Sequence, residues 1–242
     1  MQQVAEWLRA AEHTVIFTGA GMSTESGLPD FRSKDRGLWE KFNPDELANV
    51  DALLNNTEEF VDFYRFRLRE VNKYTPHAGH HTLAKWERQG LIDGIITQNV
   101  DGFHTDAGNE TVHELHGTFR RFHCHECGKT YERDAYLDGH VTCTCGGTIR
   151  PGIVLFGETL PQTTFSAAEQ LTMKADLFIV LGSSLSVTPA NMFPAVAKQN
   201  GAKLVIINRE PTVMDYMADR CIHGQNIKHV LNEIDALLEN SK

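Results

Sequence analysis

Long apolar runs are missing: no stretch of the 242 residues is long enough to span a bilayer, so no membrane partner is expected. Positive charge is also short. Lysine and arginine number 23 against 32 aspartates and glutamates, a net charge of -9. A phosphate backbone is gripped chiefly through clustered cations, so direct nucleic-acid binding is not expected. Internal repeats and low-complexity segments are absent. Met1 runs straight into an amphipathic stretch with no leader peptide before it, which sets the expectation of a cytoplasmic protein with reduced thiols. What remains, 41% hydrophobic and 23% charged, can bury a full core and reads as one large domain with a smaller attachment.

Cysteine is scarce, but its placement is informative. Four of the 5 cysteines form two close pairs, Cys124 and Cys127 as C-x-x-C and Cys143 and Cys145 as C-x-C. Thiolates are soft donors, and two pairs on separate turns can close a tetrahedral structural zinc site with no position left for substrate. Gly128 permits the first turn; the second pair is one residue short of the usual knuckle, with Gly146 and Gly147 behind it. His123 and His125 flank Cys124 and leave a mixed ligand set open, and four unlinked buried cysteines are the bland alternative. Disulfides would strand the fifth cysteine, Cys221, which has no motif around it and is expected to be a small core residue.

Short β-branched runs alternate with helical patterns. Val15–Thr18, Gly94–Thr97, Leu177–Leu181 and Leu204–Ile207 are almost unbroken apolar segments, as expected of parallel strands covered on both faces. Val4–Glu12, Glu58–Asn72, His77–Gln89, Ser166–Lys174, Ala190–Gln199 and Ile227–Glu239 carry apolar positions at helical spacing. The fold class is therefore α/β, a doubly wound Rossmann-like parallel sheet. Residues 34–75 lack a strand signal and read as a helical insertion, and 120–152 read as a zinc ribbon. These two make up the smaller domain, against 1–33, 76–119 and 153–242 for the sheet.

Open parallel sheets bind ligands at the carboxyl ends of their strands. After the first strand, Gly19-Ala20-Gly21-Met22-Ser23 lets the backbone approach a pyrophosphate, with a following helix expected to aim its amides at the anion. The other strand ends deliver Gln98-Asn99-Val100-Asp101, Gly182-Ser183-Ser184-Leu185 and Asn208-Arg209-Glu210, a polar crevice for a nucleotide. Hydride transfer is disfavoured: where a dehydrogenase places a ribose-binding acid, about twenty residues past the glycines, this chain has the charged stretch from Lys34 to Lys41.

The continuous segment Gly19 to Arg32, with Thr97-Gln98-Asn99-Val100-Asp101, Leu115-His116-Gly117, the cysteine pairs, Phe156-Gly157-Glu158 and Gly182-Ser183-Ser184-Leu185, resembles the sirtuins, NAD-dependent protein lysine deacylases. The resemblance runs in order over roughly residues 5 to 238. It implies that NAD loses nicotinamide to attack by the acyl-lysine oxygen and that a ribose hydroxyl then takes the acyl group, giving O-acyl-ADP-ribose and free lysine. That second step needs a general base near neutrality. His116 matches the catalytic histidine; His113 is expected beside it as support and His104 as a packing or surface residue.

The resemblance further assigns NAD contacts to Gly19, Ala20, Gly21, Ser23, Thr24, Glu25, Asp30, Phe31, Arg32, Gln98, Asn99, Asp101, Gly182, Ser183, Ser184, Asn208, Arg209, Glu210, Asn226 and Ile227. In that pattern Asn99 orients ribose hydroxyls or a water, Asp101 holds the nicotinamide amide, and Phe31 and Arg32 belong to a mobile cover. An acylated-lysine peptide would add as a strand between Gly157 and Glu158 on one side and Leu185, Ser186 and Val187 on the other. Val154 and Phe156 would line the acyl tunnel. Ala48, Tyr64 and Arg67 match sirtuins that remove acidic acyl groups such as succinyl; solvated arginines on an amphipathic helix are the competing reading. A monomer is expected. An NAD hydrolase or protein ADP-ribosyltransferase, and a non-catalytic nucleotide sensor, are the other function classes considered; the sensor has no use for both His116 and Asn99.

Overall fold

Residues 1–30 and 43–240 are described in a computed structural model of the chain. The four expected strands form: Thr14–Thr18 (β1), Gly94–Thr97 (β2), Leu177–Leu181 (β7) and Lys203–Ile207 (β8). Two more extend the sheet at its edges, Val112–Glu114 (β3) and Arg220–Ile222 (β9), giving a six-stranded parallel sheet of order β3-β2-β1-β7-β8-β9. The edge strands span three residues each and are only partly buried, so they carry no continuous apolar run for a sequence pattern to catch.

Period-two geometry divides the sheet's side chains between two cores. Ile16, Ile95, Ile179 and Val205 face one cluster with helices Gln2–Ala10 (α1), Ala78–Arg88 (α5) and Ile227–Glu239 (α10). Val15, Phe17, Phe178, Val180, Leu204 and Ile206 face the other, against helices Gln162–Lys174 (α8) and Met192–Gln199 (α9). Helix α5 starts on a histidine capping box. His77 Nδ1 accepts from the Gly79 amide at 2.9 Å while His80 Nδ1 accepts from the His77 amide at 3.3 Å.

A third core belongs to the smaller part of the molecule. In the described portion of the expected helical insertion lie Pro44–Leu47 (α2), Val50–Asn55 (α3) and Thr57–Val71 (α4). Phe60, Phe63, Tyr64 and Leu68 of α4 pack on Phe119 and Phe122 of strand Gly117–Cys124 (β4), on Tyr136 of helix Arg133–Leu137 (α7), and on Ile149 and Ile153 of strand Ile149–Ile153 (β6). Strand Thr130–Tyr131 (β5) completes an antiparallel sheet of order β5-β4-β6. The insertion and the cysteine module thus share one core. A short helix, Phe103–Asp106 (α6), follows the β2 loop.

The cysteines converge in this module. Cys124 Sγ lies 3.5 Å from Cys145 Sγ and Cys127 Sγ 3.6 Å from Cys143 Sγ, with all four sulfurs within 4.8 Å of one another. A tetrahedron with zinc–sulfur bonds of about 2.3 Å has edges of about 3.8 Å, so the donor set fits a closed structural zinc site, and the separations exclude disulfides. The shortened C-x-C supplies two ligands because the chain reverses immediately: the Cys143 amide donates to Gly147 O at 2.8 Å and the Gly146 amide to Cys143 O at 2.9 Å. Neither His123 nor His125 joins the group, and the Tyr131 hydroxyl donates to Cys143 Sγ at 3.0 Å, favouring its thiolate. The expected element is therefore a four-thiolate zinc cage. Strong chelation, or Cys143→Ser, is expected to release about one zinc per chain and to destabilise the fold by several kcal/mol, because structural metal binding is folding free energy. Metal content by mass spectrometry and a thermal melt check this; active, stable protein without zinc would overturn it.

Beneath α5 lies a histidine cluster. His80 and His104 meet with tilted rings, centroids 5.0 Å apart, and both are buried. Burial pushes His104 down to about 3 and His80 well below the usual imidazole range. In the unfolded chain both would take a proton below about pH 6.5. Their contribution to stability is therefore present above that pH and is lost as the pH falls toward 3, the folded value for His104. Urea unfolding at about pH 5 is expected to show a loss of roughly 2 kcal/mol per histidine relative to neutrality. His104→Gln should flatten the slope; a slope unchanged by that substitution would locate the titration elsewhere.

Candidate active site

One cleft of about 390 Å³ lies at the carboxyl ends of β1, β2, β7 and β8 and runs under α4 and the chain leaving β6. Its floor is set by backbone contact. The Gly21 amide donates to Gly182 O at 2.8 Å, and a Cβ on Gly182, whose φ is +63°, would lie 2.3 Å from Met22 N. The β1 turn and the β7 end can approach this closely only as glycines.

The expected helix after the glycines is a correction. Residues Ala20–Ser26 form a 3-10 turn that stops at Gly27, and the Gly21 and Met22 amides are engaged with Gly182 O and Gly19 O. The anion-binding dipole of a long α-helix is therefore not what this loop presents. Ala20, Gly21, Thr24, Glu25 and Asp30 line the cleft, while Gly19 and Ser23 stand behind it. Glu25 also accepts from the Lys228 amide at 2.7 Å, tying this turn to the start of α10. Phe31 and Arg32 lie outside the described residues.

Behind the floor, Asn99 is buried, and its Nδ2 donates to Gly19 O at 3.0 Å and to Ser23 Oγ at 3.3 Å. With its amide hydrogens so placed, Asn99 presents its carbonyl oxygen as an acceptor. Ser23 Oγ donates in turn to Asp101 Oδ2 at 2.7 Å, and the Phe103 amide to Asp101 Oδ1 at 2.9 Å. Burial pushes the Asp101 carboxyl up against these hydrogen bonds. Asp101 thus holds Ser23, which in turn meets Asn99 at the cleft.

His116 follows Leu115, whose amide bonds Thr97 O, and precedes β4. Its Nδ1 lies 3.0 Å from Gln98 O, a carbonyl that can only accept, so Nδ1 carries the hydrogen and Nε2 the lone pair. His116 lines the cleft; His113 in β3 and the buried His104 do not. Gln98 Oε1 accepts from Ser183 Oγ at 2.7 Å, joining the β2 and β7 ends.

The opposite wall is the segment after β6. The Val154 amide donates to His116 O at 2.8 Å and the Phe156 amide to Ala48 O at 3.0 Å. Val154, Phe156, Gly157 and Glu158 all line the cleft, and Phe156 leaves 47% of its surface exposed there. The Glu158 carboxylate bridges to Arg150, only 2% exposed, and also accepts from the Leu155 amide at 2.8 Å. Of the three residues expected on the facing edge, Val187 lines the cleft. Leu185 has φ +57° and its side chain is buried in the sheet core, so only its main chain is available to a neighbouring strand, while Ser186 bonds Ser184 at 2.8 Å.

Tyr64 and Arg67 reach the cleft from α4, beside Ala48. The Arg67 guanidinium lies 5.0 Å from the Phe119 ring centroid and 6.0 Å from that of Tyr64. Burial lowers Arg67 from its usual value and raises the Tyr64 hydroxyl to about 12. Arg69, by contrast, is exposed. Asn208, Arg209, Glu210, Asn226 and Ile227 line the far end with Gly182, Ser183 and Ser184. Gln225, Leu160, Thr188 and Pro189 also line the cleft. Sequence reasoning missed these four; the only signal was Gln225's adjacency to Asn226.

A model of the Sir2 family matches residues 19–189. The chain is 55% identical over 231 residues to an NAD-dependent protein deacetylase of Oceanobacillus iheyensis, covering 96% of this chain and 98% of that one. It is 56% identical over 235 residues to NAD-dependent protein deacetylase 1 of Geobacillus kaustophilus, covering 97% of each. Among solved structures it is similar to Sir2 with a p53 peptide and NAD+, with a TM-score of 0.89 at 35% identity, covering 100% of this chain and 98% of that one. It is also similar to Sir2 with deacetylated p53 peptide and 3'-O-acetyl ADP-ribose, with a TM-score of 0.90 at 36% identity, covering 98% of this chain and 97% of that one. By the matched segment, by identity over nearly its whole length and by the geometry of the cleft, this chain belongs to the Sir2 family.

Proposed function

We infer that this protein is an NAD-dependent protein-lysine deacetylase. The observation that carries the reading is the orientation of His116: its Nδ1 is tied to Gln98 O, and its own carbonyl holds Val154 of the opposite wall. One residue thus joins the nucleotide floor to the acyl channel. NAD, when bound, supplies the ribose carbon that the acyl oxygen attacks and the hydroxyl that receives the acyl group. His116 Nε2 takes the proton from that hydroxyl, a transfer its fixed tautomer permits. Asn99 offers its carbonyl oxygen to a ribose hydroxyl or a water, while Gly19, Ser23 and Asp101 hold it in place.

We propose that 1–33, 76–119 and 153–242 hold the nucleotide and that 34–75 and 120–152 close the acyl-peptide side. Ala20, Gly21, Thr24, Glu25 and Asp30 would meet the phosphates and the proximal ribose, and Asn208, Arg209, Glu210, Asn226 and Ile227 the adenosine. The peptide would lie along Gly157 and Val187, with the acyl-lysine between Val154 and Phe156. No helix among the described residues is long and apolar enough to cross a membrane. Four cysteines placed as reduced thiolates suit the cytoplasm.

Tyr64 and Arg67 extend the substrate range to acidic acyl groups. A guanidinium on aromatic faces at the wall of the acyl channel can neutralise a succinyl carboxylate, and the tyrosine hydroxyl can donate to it.

His116→Ala is expected to leave NAD binding near wild type while acyl transfer drops by about two to four orders of magnitude; equal loss of both would remove His116 from catalysis. Arg67→Met should cost desuccinylation about 2–4 kcal/mol in transition-state terms and leave deacetylation nearly unchanged. Matched acetyl- and succinyl-lysine peptides with product masses provide the readout. A wild type inert toward succinyl-lysine, or an equal loss on both peptides, would sink the clamp.

A further inference from the structure

Behind the adenosine end of the cleft, three side chains with different donor atoms converge. Cys221 and His223 stand two residues apart as the chain runs through and out of β9, the spacing that puts strand side chains on one face. Asp215 comes from the preceding loop, in the 3-10 turn Asp215–Met217. Thr212 Oγ donates to Asp215 Oδ1 at 2.7 Å, which fixes the carboxylate and leaves Oδ2 toward His223. The thiol sulfur, a ring nitrogen and a carboxylate oxygen of the three lie within 4.8 Å of one another.

The imidazole decides what this cluster asks for. His223 Nδ1 lies 3.0 Å from Asn208 O, so its hydrogen is donated to that carbonyl. The other ring nitrogen, Nε2, sits 2.9 Å from Asp215 Oδ2. A ring nitrogen and a carboxylate oxygen meet at that distance only with something positive between them: a proton, or a metal ion. The thiol alongside, which donates to Asp215 O at 3.8 Å, brings a third donor atom of different softness into the group, and a borderline-soft divalent ion takes thiolate, imidazole and carboxylate together. The backbone carbonyl on Nδ1 and the hydroxyl on Asp215 are the outer partners that orient such ligands.

We propose that Asp215, Cys221 and His223 form a second metal site, for zinc or a similar first-row divalent ion, distinct from the four-cysteine cage. It offers three protein ligands and so keeps one coordination position for water, which makes it the weaker and more exchangeable of the two. Binding releases the Cys221 thiol proton to solvent, while His223 keeps its Nδ1 hydrogen, donated to Asn208 O. Asn208 lines the cleft, so the ion is one hydrogen bond away from the nucleotide pocket.

The test is a cobalt(II) titration of the full chain with its cage zinc retained, the zinc being counted by mass spectrometry before and after. A further equivalent of cobalt is expected, with a thiolate-to-cobalt charge-transfer band in the near ultraviolet. Cys221→Ser should abolish the band, and His223→Gln should weaken binding by about ten- to a hundredfold, the cage zinc staying in place in both. In unsubstituted protein, added zinc should also slow alkylation of Cys221, read by peptide mass. Absence of the further equivalent, or a band and alkylation rate indifferent to Cys221→Ser and to zinc, would overturn the site and leave an imidazolium–carboxylate pair.

Discussion

The cleft depends on one contact between two loops that carry no side chains where they meet. Gly21 donates to Gly182 O at 2.8 Å, and a Cβ at Gly21 would lie 2.8 Å from Gly182 Cα. Because β1 and β7 are neighbours in the sheet, this contact pulls their turns into a single floor. Gly19 O is thereby presented to Asn99 from the adjacent strand, and Ser23 is brought to Asp101. Any side chain at either glycine would separate the turns and displace both polar groups.

The acyl side rests on a different device. Arg150 is buried at the start of β6, and its guanidinium bonds the Glu158 carboxylate, with Nη2 at 3.0 Å from Oε2, together with the carbonyls of Pro151 and Ile153. Burying such a pair costs desolvation and is weak evidence of stability, but removing one partner leaves a charge stranded. Its evident effect here is geometric. The segment from Val154 to Gly157 is bounded on one end by β6, on the other by Glu158, and pinned between them to His116 O and Ala48 O. The zinc cage fixes the far end of the same small sheet, so metal, ion pair and general base belong to one mechanical unit.

The glycine-rich run, the four apolar strands and the cysteine pairs are legible because each obeys a local rule: backbone approach to an anion, double burial, and paired soft ligands. The edge strands β3 and β9 escaped since three partly buried residues generate no periodic signal. The helix expected after Gly21 failed for another reason. Tertiary contact with Gly182 and the stop at Gly27, where a Cβ would lie 2.5 Å from the Tyr74 ring, keep the turn short whatever its helical propensity. The direction of the Leu185 side chain was not legible, because a strand-end motif gives position along the chain only; φ +57° turns it into the core.

The sequence by itself determined the parallel sheet, the ligand types of the cage and which histidine, His116, reaches the cleft, since local pattern and motif specify them without reference to distant residues. The tertiary structure alone decided that Asp101 meets Ser23 and that Arg67 turns onto Phe119 at the cleft wall while Arg69 of the same helix stays exposed. It likewise decided that Asp215 meets His223 across a loop. The physical reason is the same in each case: direction and burial are set by what packs from elsewhere in the chain, and residue type and spacing do not encode that neighbour.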